Sequence, residues 1–75
     1  MMRRVPTPEL RRRIREVHEA AAELHEQAAA LHLEAAEIWD ARGDWDRAEE
    51  HRTAAAVDTR MAAAERSAWE RYNRP

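Results

Sequence analysis

Apolar residues recur along this chain at the spacing of two long helices. Leu10, Val17, Leu24, Leu31 and Ile38 fall at one heptad position, and Ile14, Ala21, Ala28 and Ala35 fall at the other core position. A seven-residue theme carries the pattern: His18–Leu24, His25–Leu31 and His32–Ile38 each begin with histidine and end on a large aliphatic residue. Thr7-Pro8-Glu9 reads as a helix start, with Thr7 as cap, Pro8 at the first helical position and Glu9 at the positive end of the dipole. The only glycine, Gly43, follows Arg42 where a terminating left-handed residue belongs, and Asp44 suits the cap of a second helix. The expected fold is therefore all-α: a basic tail over 1–7, one helix over about 8–41, a turn at 42–44 and a second helix over about 45–72, with Asn73 and Pro75 ending it.

An antiparallel hairpin about Gly43 sets residues whose numbers sum to about 86 at equal height. Ile38 then meets Ala48, Leu31 meets Ala55, Leu24 meets Ala62 and Val17 meets Trp69, each knob facing a small residue until Trp69 closes the seam. Val57, Met61, Ala64 and Ala68 form a second stripe on the second helix. Ala22, Ala29, Ala36 and Leu33 widen the apolar surface of the first. Two hairpins joined into a four-helix bundle would bury these surplus faces, so a homodimer or a hetero-partner protein is expected.

Composition sharpens this expectation. Of 75 residues, 44% are hydrophobic, but much of that is alanine, which buries little area, and no cysteine is present to staple the fold. A lone hairpin of this kind has little to set against its ordering entropy. No stretch approaches the ~20 apolar residues of a membrane span, and Met1-Met2-Arg3-Arg4 is followed by Val5-Pro6-Thr7-Pro8 instead of an apolar signal core, so a cytoplasmic protein without a membrane partner is expected.

The stretch around the turn resembles a tetratricopeptide-repeat hairpin: Ala36, Trp39, Gly43-Asp44-Trp45, Ala48 and Ala55 have that family's spacing of small and aromatic residues. The likeness covers about a quarter of the chain and one copy, whereas stacked repeats need about three. Arg52 stands where the family carries a second large aromatic, and Arg60 where it ends the second helix with proline. The resemblance implies a protein-interaction role. Shared turn physics gives the same residues, with Trp39 and Trp45 covering the tip.

Chemistry-bearing residues are few. No lysine and no cysteine is present, and Ser67 is the only serine, without a base one turn away, so no enzyme is expected. No cofactor is implied. His18, His25 and His32 recur every seven residues, about 10.5 Å apart along a helix, too far to share one metal ion. The register sets them against Ala68, Met61 and Ala54, so chelation would need a second chain. Otherwise they line the flank of an interface, where imidazole ionisation near roughly pH 6–6.5 would weaken association. Arg3, Arg4, Arg11, Arg12 and Arg15 gather at the amino end and could meet nucleic acid or an acidic protein, although the net charge is −2.

The function expected from the sequence is a small non-enzymatic protein–protein interaction and self-assembly module, an accessory or regulatory subunit. Leu24, Leu31, Ile38 and Ala55 would hold the hairpin, while Val57, Met61, Ala64, Ala68, Trp69 and Leu33 would serve the partner. Two alternatives come from other classes: a metal-binding bundle using His18, His25 and His32, and an arginine-mediated binder of nucleic acid or an acidic protein.

Overall fold

A computed structural model describes residues 6–72. Helix α1 spans Pro8–Ala41 and helix α2 spans Trp45–Tyr72, and the two lie against each other as an antiparallel hairpin. The proposed basic tail lies mostly outside the described residues, as do Asn73 and Pro75.

Local chemistry fixes the helix ends. The Thr7 hydroxyl oxygen accepts from the Leu10 amide at 3.1 Å, satisfying one of the amides left over at the start of α1. At the other end Gly43 takes φ +77°, the Asp44 amide donates to the Trp39 carbonyl at 2.9 Å, and the Gly43 amide donates to that of Asp40 at 3.0 Å. These are the two bonds of a Schellman cap. The Asp44 carboxylate then accepts from the Arg47 amide at 3.1 Å and opens α2. A Cβ at Gly43 would meet nothing within 4 Å, so Gly43→Ala carries only the left-handed backbone cost, roughly 1–2 kcal/mol, as a lowered urea midpoint at unchanged slope.

The seam between the helices consists of alanine. Ala22, Ala29 and Ala36 of α1 and Ala48, Ala55 and Ala62 of α2 are the buried hydrophobic residues of the described chain, with Ala22 and Ala48 at 0% exposure. The three α2 positions are those expected from the sequence. The α1 face is not. Leu24 and Leu31 are each 65% exposed, and Val17 and Ile38 are also exposed. Leu24, Leu31 and Ile38 stand two residues from the seam alanines, about 200° around an α-helix, and Val17 continues their row, on the side turned from α2. Ala22, Ala29 and Ala36 therefore hold the hairpin, in place of Leu24, Leu31 and Ile38.

Polar contacts on both flanks accompany this rotation of α1, and those on the histidine flank are part-buried. On one flank Arg52 donates to Asp40 at 2.7 Å, and Arg66 donates to Glu26. On the other, histidines of α1 reach polar residues of α2. Turning the leucines inward would pull both sets apart.

Candidate interaction face

The two flanks make the broad faces of the hairpin unlike. The face bearing Asp40–Arg52 and Glu26–Arg66 is a charged surface. The hydrogen bond that Arg52 donates to Asp40, then that to Glu49, raises its guanidinium above the ordinary pKa, and the bond to Glu26 does the same for Arg66. Both arginines are open to solvent, and exposed pairs of this kind contribute little to stability.

The opposite face carries a ladder of three rungs. His18 Nδ1 lies 2.6 Å from Glu65 Oε2, His25 Nδ1 lies 2.9 Å from Asp58 Oδ1, and His32 Nδ1 lies 3.0 Å from His51 Nδ1. Asp58 links two rungs, since its second oxygen stands 3.7 Å from His32 Nε2. The ladder side chains are part-buried, and among the described residues no buried side-chain polar atom lacks a hydrogen-bond partner.

The histidines thus do not face Ala68, Met61 and Ala54, as the expected register had it. They stand about 40° around α1 from the seam alanines and meet Glu65, Asp58 and His51. Each rung pairs numbers summing to 83, three fewer than expected, which is close to one turn's error. Missed in the sequence was a second seven-residue series, His51, Asp58 and Glu65, running antiparallel to the first. Protonating His18 or His25 sets positive charge against a carboxylate; two protonated imidazoles would oppose each other only at the His32–His51 rung.

Asp58 is the member with most to lose. Asp58→Ala leaves His25 without its partner and His32 without its neighbouring carboxylate, and the expected cost is about 1–3 kcal/mol, read from urea unfolding at neutral pH. Among the described residues no three His, Asp or Glu side chains gather closely enough to hold a metal ion. The rungs share no common centre within one hairpin.

Outside the ladder on this face lie apolar margins. On α1 the next row is Ile14, Ala21, Ala28 and Ala35, followed by Leu10, Val17, Leu24, Leu31 and Ile38. Together these rows form a second three-and-four-residue seam, the heptad visible in the sequence, with no helix of the described residues against it. On α2 the matching margin is Ala54, Val57, Met61, Ala64 and Ala68, with Val57 and Met61 exposed. Trp69 sits half-buried near the open end, its ring 6.1 Å from that of Tyr72. Leu33 is exposed on the charged flank, apart from the other proposed contact residues.

At the turn Trp39 lies beneath two guanidiniums, 4.5 Å from Arg47 and 5.3 Å from Arg42, whereas Trp45 is exposed and does not cover the tip. Arg11, Arg12 and Arg15 are exposed along α1, and Arg12 and Arg15 share a shallow groove with Glu16, Glu19 and Glu23. Arg3 and Arg4 lie outside the described residues. No described helix is long and apolar enough to cross a membrane. Compared with protein-family models, curated proteins and solved structures, the chain matches none.

Proposed function

We propose that this chain is a non-enzymatic helix-docking module, an accessory or assembly subunit that works by presenting its ladder-bearing face to another helix. The observation that carries this reading is an inversion of size. Among the described residues the hairpin buries only alanines, while Leu24 and Leu31 remain 65% exposed at regular heptad spacing. An alanine seam removes little apolar surface from water, and a full leucine side chain adds about 1.5–3 kcal/mol when covered. Most of the hydrophobic stabilisation available to the chain therefore lies on a face that the hairpin itself does not use. A row of large aliphatic residues at this spacing fits the face of another helix by knobs-into-holes packing.

Circular dichroism combined with light scattering tests the reading. A chain that is helical when assembled, or that lacks helix when alone and gains it on docking, fits the module. A thermally stable, fully helical species with the mass of one chain would overturn it, since the hairpin would then need no cover.

A further inference from the structure

We infer that the helix covering this face belongs to a second copy of the chain, whose α2 lies antiparallel along the exposed heptad of the first copy's α1; this rests on the docking reading above. The two margins of the face differ in bulk and share one period. The α1 margin is built on Leu24 and Leu31, and the α2 margin on alanines around Met61. A two-fold axis parallel to the helices keeps heights unchanged between copies. It brings Leu31 within two residues, about 3 Å, of the height of Ala54, and Leu24 within the same distance of Met61, of the second copy. Bulky residues then enter spaces left by small ones or by the adaptable methionine, and symmetry repeats the contact on the other margin.

The alternative two-fold, with α1 against α1, sets leucines against leucines and leaves the alanine margins of α2 facing each other across unfilled space. Covering the face also turns the histidine ladder inward. The Nδ1 bond of each rung is made within one hairpin, so enclosure leaves these bonds in place. A covered face explains why α2 carries an alanine margin with Val57 and Met61 on the side away from its seam, where polar residues would otherwise stand.

Single-cysteine variants test the contact cleanly, because the sequence has no cysteine of its own. Leu31→Cys and Ala54→Cys are prepared separately, mixed, equilibrated and oxidised in a glutathione buffer. The expected dominant product is the mixed disulfide between the two variants, which requires Cα atoms within about 7 Å. Leu24→Cys with Met61→Cys gives a second, independent pair should either first variant lose its helix. Predominance of the Leu31→Cys homodimer would replace this arrangement by α1 against α1. A folded assembly forming no disulfide from either pair would also overturn the contact. A chain that stays without helix at every concentration would exclude the second copy but leave docking to a foreign helix standing, whereas a folded single chain would overturn both.

Discussion

Replacing Leu24 and Leu31 together by glutamine is expected to remove most of the helical signal of the isolated protein at micromolar concentration. Both residues lie outside the hairpin seam, so for a lone hairpin the exchange would be a surface substitution, within about 0.5 kcal/mol of neutral. Covered by another helix, each leucine contributes roughly 1.5–3 kcal/mol, and the double variant loses both contributions. Since small domains are stable by only about 0.1 kcal/mol per residue, that loss takes away most of the margin. Thermal denaturation followed by circular dichroism reads it directly. An unchanged melting temperature in Leu24→Gln/Leu31→Gln would mean that nothing covers the row.

The second large effect is at the seam. Ala55 is 4% exposed and packs where the two backbones approach, so Ala55→Leu has to push α2 away from α1. Overpacking of this kind costs about 1–3 kcal/mol. Here it also pulls Asp58, one turn further on, from His25 and His32. Ala56→Leu adds the same side chain one residue along, at an exposed position, and is expected to stay within about 0.5 kcal/mol of the parent. Urea midpoints of the two variants separate a seam effect from a general effect of adding leucine to α2. Equal losses would contradict the alanine seam.

These substitutions fall where sequence and structure part. The two helices and their turn were legible because Thr7-Pro8 and Gly43-Asp44 act locally: a cap, a fixed φ and a positive φ operate wherever the chain then packs. The α2 side of the seam was legible too, since Ala48, Ala55 and Ala62 lie on the face that the turn directs inward. The α1 side was not. Heptad reading places the largest residues in the first available interface, and α1 carries two heptads, one of leucine with alanine and one of alanine alone. What separates them is the rotation of α1, held chiefly by the part-buried histidine ladder, with Asp40–Arg52 and Glu26–Arg66 meeting on the opposite flank. Those pairs couple residues up to 47 positions apart and have no local signature. The histidine series was visible in the sequence, but its partners were not, because a small error in register exchanged Glu65, Asp58 and His51 for Ala68, Met61 and Ala54.

The exposed leucine row therefore has a reason to stay unused within one hairpin: the polar contacts that orient α1 hold it outward, available to another helix. The most direct measurement is the solvent accessibility of individual methyl groups in the native protein, from NMR relaxation by a soluble paramagnetic agent. If the row is covered, the methyls of Leu24 and Leu31 are protected to the same degree as those of Ala22 and Ala29, while Ala56 relaxes fast. Leucine methyls relaxing as fast as Ala56, in a protein that is otherwise fully helical, would contradict the account.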